Sequence, residues 1–115
     1  MKYLLLFYVS EDRLWELGSE QQRGLWTGLP GRDSLLGAGS IYRLESTGSA
    51  LTLRRRSDGL VLSGGCGVEA EEQLQGCVLV EAEDLDAAIR LAAQLPAAAL
   101  GSIEVRPVRS LAGAH

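Results

Sequence analysis

Hydrophobic and polar positions divide this chain into short, distinct segments. Tyr3 to Val9 is an uninterrupted apolar run with aromatic and β-branched members, closed by Ser10-Glu11-Asp12, and it predicts a strand at the centre of a sheet, buried on both faces. Ser19 and Gln22 have the spacing of a capping box, which predicts a helix starting at Ser19. Gly24, Gly28 and Leu29-Pro30-Gly31 break it, and a second helical turn is expected over Asp33 to Leu36. Three short strands follow, Ser40 to Glu45, Leu51 to Arg55 and Leu60 to Ser63, the last two joined by Ser57-Asp58-Gly59, a hairpin turn.

One helical turn is expected over Glu69 to Leu74, then a strand from Gly76 to Glu81. The clearest helix lies in Glu83 to Pro96. Asp84 serves as its N-cap and Asp86 complements its N-terminal dipole, while Leu85, Ala88, Ile89, Ala92 and Leu95 recur at the spacing of one buried face. Ser102 to Val108 sets Ile103, Val105 and Pro107 against Glu104 and Arg106, a closing strand with one wet face. This order predicts an α+β fold of the ferredoxin-like kind: an antiparallel sheet with helices on one face and an extra hairpin in the middle. The sheet's other face is expected to pack on a second copy in a twofold dimer.

Composition narrows the picture. A chain of 115 residues supports one core, so residues 1–109 are expected to form one domain, followed by a disordered tail at 110–115. With 46% hydrophobic but only 5% aromatic residues, that core must be mainly aliphatic. A net charge of −4 argues against direct nucleic-acid binding, and the one basic cluster, Arg54-Arg55-Arg56, reads as a solvated hairpin tip. The apolar start has a single preceding Lys2 and no small-residue cleavage site, and it reads as a strand rather than a signal peptide. With no run long enough to span a membrane, the expected location is cytoplasmic.

The chemistry-bearing residues are few. His115 is the only histidine, and Cys66 and Cys77 form no CxxC pair, so no zinc site and no His/Asp pair is expected. Cys77 lies in an apolar run and reads as a small buried hydrophobe, whereas Cys66 sits between glycines and should be exposed. Gly65 to Ala70 satisfies GxGxxA, but no crossover helix fits before the next strand, which excludes a dinucleotide site. The backbone of Gly64 to Gly67 retains the character of an anion-binding turn, and Glu69, Glu71 and Glu72 follow as candidate bases. No cofactor is implied.

Glu72-Gln73-Leu74, Gly76, Asp84-Leu85-Asp86-Ala87-Ala88 and Gly101-Ser102-Ile103-Glu104-Val105-Arg106-Pro107 together resemble the YCII-related family, in its DGPF-type branch. MKYLLLFY is similar to that family's first strand. The resemblance implies a bacterial homodimer forming an α+β barrel, and an enzyme-like cleft beside the Asp-Gly-Pro-Phe turn. This chain departs there: Gly64, Gly65, Cys66 and Gly67 stand at those four positions, and Glu71 replaces the family's lysine.

With the acid lost, the expected function is a non-catalytic small-molecule-binding or accessory module. The candidate ligand-binding residues are Tyr42, Gly64, Gly65, Cys66, Gly67 and Arg106. One alternative is an enzyme using Cys66 or Glu72 in the cleft between sheets. A second, implied by the resemblance alone, is a partner of a sigma-factor-type regulator.

Overall fold

The computed structural model describes residues 1–26, 41–67 and 70–109. The turn expected at Asp33 to Leu36, residue Glu69 and the tail at 110–115 lie outside the described residues. The elements are β1 (Lys2–Val9), α1 (Glu11–Trp15), α2 (Ser19–Gly24), β2 (Ile41–Arg43), β3 (Leu51–Arg56), β4 (Gly59–Gly64), β5 (Gln73–Glu81), α3 (Leu85–Ala93), α4 (Ala97–Leu100) and β6 (Ser102–Pro107). A short 3-10 turn, Thr47–Ser49, precedes β3. The main sheet is antiparallel with order β2-β5-β1-β6, and β3 and β4 form a separate two-stranded sheet. This is the ferredoxin-like α+β arrangement with a hairpin inserted between β2 and β5. No helix among the described residues is long and apolar enough to cross a membrane.

The core lies on one face of the main sheet. Tyr3, Leu5, Phe7 and Val9 of β1 and Val78 and Val80 of β5 pack against Leu14, Leu25, Trp26, Ala88, Ala92, Leu95 and Ala97. β1 is central as expected, but Leu4, Leu6 and Tyr8 on its other face are only half-buried, because no helix among the described residues covers that side. Gly101 is required where β6 begins: a Cβ there would collide with the Tyr8 carbonyl.

Several local expectations are corrected. Ser10-Glu11-Asp12 does not simply end β1: it leads into α1, with Leu14 buried. At α2 the N-cap is Gly18, whose N–H donates to Gln21 Oε1 at 3.0 Å, so the Ser19/Gln22 box does not form. Among the described residues of 70–74 there is no helical turn: Gln73 and Leu74 belong to β5. β5 pairs Gly76 with Phe7 but Leu74 with Tyr8, so Gln75 is the extra residue of a β-bulge, and β1 captures the two residues before it.

On α3, Asp84 caps as expected, its Oδ1 accepting from Ala87 N at 2.9 Å. Leu85 and Ile89, expected to be buried, are 46% and 47% exposed. The helix seats Ala88 and Ala92 on the sheet, Leu95 is buried just beyond its C-cap, and Ile89 lies roughly 100° round the helix from Ala88, off the contact.

Candidate functional site

Between the sheet's covered face and α1–α2 the fold leaves a cavity of about 570 Å³. Its apolar wall includes Phe7, Trp15 and Trp26, and Gln75, Arg23 and Arg43 also line it. Trp26 meets Phe7 edge to face, centroids 5.6 Å apart at 89°. Gly76 makes room for this: a Cβ there would stand 2.7 Å from Trp26 Cζ2 and 2.8 Å from the Tyr42 carbonyl oxygen.

The bulge turns the Gln75 amide into the interior, where the residue is 3% exposed. Its Nε2 donates to Glu11 Oε1 at 3.1 Å, while its Oε1 is buried and accepts from no described group. Glu11 is held tightly. Its Oε1 accepts from Thr47 N at 2.6 Å and its Oε2 from Thr47 Oγ1 at 2.9 Å. The backbone hydrogen bond from Thr47 is the main cause holding the Glu11 carboxyl below its ordinary pKa, with Gln75 adding to it against the opposing effect of burial. This knot ties α1, the 3-10 turn and β5 together, and Gln75 is its one member in the cavity lining. Arg43 has no ion-pair partner among the described residues, and Arg23 approaches only Glu20, at 3.9 Å across exposed surface. Glu45 adds one carboxylate to the two arginines of the lining.

The residues singled out from the sequence lie elsewhere. Gly64 ends β4 and pairs with Leu51, so the glycine stretch belongs to the hairpin. Gly65 has φ +83° and donates its N–H to the Ala50 carbonyl at 2.7 Å. Its own carbonyl accepts from Thr52 Oγ1 at 2.8 Å, and that of Gly67 from Arg54 Nη2 at 3.3 Å. Cys66 is exposed between them. Glu72 accepts from Ser102 Oγ at 2.8 Å, joining the starts of β5 and β6.

Tyr42 and Arg106 share the sheet's open face, but on opposite edge strands, β2 and β6. On the same face Tyr8 donates to Glu104 Oε1 at 3.2 Å, and burial first, then Glu104, pushes the Tyr8 hydroxyl up. Cys77 is half-buried beside Tyr42, and burial raises its thiol pKa.

The sequence reading thus passed over Glu11, Thr47, Gln75 and the two tryptophans. One signal was present: Gln75 interrupts an otherwise apolar stretch of β5 with a side chain that costs free energy to bury without partners.

A protein of Rhizobium meliloti (strain 1021), itself described as uncharacterized, is 38% identical to this chain over 72 residues, covering 61% of this chain and 58% of the relative. The chain therefore spans less than two thirds of that relative's length. The YCII-related domain matches residues 1–112, nearly the whole chain, in agreement with the motifs at Glu72 to Gly76, Asp84 to Ala88 and Gly101 to Pro107. The chain belongs to the YCII-related domain family.

Proposed function

We propose that this chain is a non-catalytic small-molecule-binding module that acts as a homodimer, with the ligand held in the cavity between α1–α2 and the sheet. The observation that carries this reading is a cavity of about 570 Å³ flanked by two tryptophans and two arginines and lined also by Gln75, whose buried amide oxygen accepts from no described group. Cavities of roughly 300–1,000 Å³ with apolar walls and a few placed polar groups are the usual form of small-molecule sites. The lining charges, Arg23 and Arg43 against Glu45, favour a ligand carrying one negative charge. Loss of the family's acid at Gly64 and the lack of any internal histidine support binding over proton-transfer chemistry.

The dimer is supported by the half-buried leucines of the open sheet face, Leu4, Leu6 and Leu79. Apposing two such faces about a twofold axis parallel to the strands sets the β2 edge of each copy opposite the β6 edge of the other. Tyr42 of one copy then faces the strand that carries Arg106 of its partner.

Tryptophan fluorescence titrated with 4-hydroxyphenylacetate, indole-3-acetate and salicylate tests the pocket. A saturable change that weakens several-fold in Arg43→Gln is the expected result. A response that is absent for all three, or identical in Arg43→Gln, contradicts the reading.

A further inference from the structure

The cavity is lined by two glutamines whose amides are fixed in different ways, Gln75 on β5 and Gln22 on α2. Gln22 is half-buried. Its Nε2 donates to the Leu14 carbonyl at 3.3 Å and to the Leu17 carbonyl at 3.1 Å. These lie at the end of α1 and just past it, where a short helix runs out of intrahelical donors for its carbonyls.

A side-chain amide has two N–H hydrogens and one oxygen, and a backbone carbonyl only accepts. The nitrogen must therefore face Leu14 and Leu17, and both of its hydrogens are committed there. Turning the amide over would break both bonds. Oε1 is left as the free polar atom of the side chain, with no described group donating to it. Among the described residues, Gln75 Oε1 is the side-chain atom that is both unpartnered and buried, so Gln22 Oε1 is unpartnered but open to solvent. Bridging α1 to α2 uses the nitrogen alone, and the oxygen stands as a fixed acceptor in a residue of the cavity lining.

The other polar groups of the lining do not duplicate it. Ser19 carries a hydroxyl, which donates as well as accepts and so discriminates neither. Arg43 comes from β2, a different element from Gln22, and is suited to a carboxylate. A ligand ammonium would share the cavity with the guanidinium groups of Arg23 and Arg43, a repulsion that a neutral O–H or N–H does not incur.

We infer that Gln22 is a specificity-determining residue of this cavity: its Oε1 accepts a hydrogen bond from a neutral O–H or N–H of the ligand while Arg43 holds the ligand's acid group. The ligand class is an organic acid with a neutral donor apart from the acid, such as a hydroxyaryl or indolyl carboxylate. This rests on the binding reading proposed above and narrows its ligand.

Matched analogues test it. Dissociation constants of 4-hydroxyphenylacetate and 4-fluorophenylacetate are measured by tryptophan fluorescence at pH 7, where the phenol, of ordinary pKa about 10, is neutral. The two share the ring and the acid, but only the first donates. The parent should bind the hydroxy compound about tenfold more tightly. In Gln22→Leu and Gln22→Met, with folding verified by circular dichroism, that preference should fall to one or below. Loss of the bridge to α1 would weaken both compounds alike, so the ratio isolates the role of the oxygen. In the parent, the side-chain amide resonances of Gln22 should also shift more with the hydroxy compound than with the fluoro compound.

Equal affinities in the parent overturn the role of Gln22 and leave the cavity's binding role standing. A preference that survives in the variants, or Gln22 resonances that respond alike to both compounds, assigns the donor to another acceptor and also overturns it. A parent that binds neither compound removes the binding reading and this inference together.

Discussion

The two sheets of this molecule are built from similar residues and meet opposite fates. β1 and β5 carry Leu5, Phe7, Val78 and Val80 fully into a core closed by α3 and the two tryptophan-bearing segments. β3 and β4 carry four leucines into solvent. Both sheets set apolar side chains along a face, so an apolar face alone does not ensure burial. What differs is the cover: the main sheet receives helices from the segments before β2 and after β5, whereas the two-residue link between β3 and β4 supplies none. The first sheet is self-sufficient and shapes a cavity. The second leaves its leucine face open.

Substitution should expose that contrast most sharply in the core. Leu5→Ala removes a side chain with 0% exposure and should cost about 2–5 kcal/mol in chemical unfolding. Leu62→Ser in the hairpin should change protomer unfolding by less than about 0.5 kcal/mol. Equal losses would erase the distinction between the sheets.

Gly76→Ala comes next. The added methyl must displace Trp26 or the β2 backbone, which should cost about 1–3 kcal/mol and shift the tryptophan emission. Gly65→Ala, forced to positive φ just after β4 at the base of the hairpin, should cost about 1 kcal/mol or less and leave that emission unchanged.

The Glu11 knot yields a pH test. Its carboxyl pKa is lower in the folded chain than in the unfolded one, so its contribution is fully present above the unfolded value, about 4.3, and is lost as pH falls through the lower folded value. Glu11→Gln should lower stability at pH 7 by about 1–3 kcal/mol and flatten the loss of stability below pH ~4. An unchanged acid limb in that variant would show that Glu11 is not its source.

The smallest effect is kinetic. Cys66 is exposed while Cys77 is half-buried with its thiolate disfavoured, so iodoacetamide near neutral pH should modify Cys66 well before Cys77, as read by peptide mass spectrometry.

The fold was largely legible in the sequence because it is written in local patterns. The Tyr3–Val9 run, the Ser57-Asp58-Gly59 turn, the Asp84 cap and the alternation from Ser102 each act within a few residues. The setting of Gln75 in the cavity lining was not legible, because it depends on distant contacts. Glu11 is fixed by Thr47, 36 positions away, and by Gln75, 64 positions away. The five-residue helix α1 has too few turns to display a period, and the bulge at Gln75 follows from register with β1. Leu85 and Ile89 satisfied the helical spacing of a buried face, yet the small Ala88 and Ala92 mark the side that approaches the sheet. Among the residues chosen for chemistry, the glycine stretch proved to be hairpin, while Tyr42 and Arg106 stand on opposite edges of one face.

Hydrogen–deuterium exchange tests the central contrast most directly. The amides of β1 and β5 should be protected. Those of Leu51 to Arg56 and Gly59 to Gly64 should exchange freely. Hairpin protection equal to that of β1 and β5 would contradict the account.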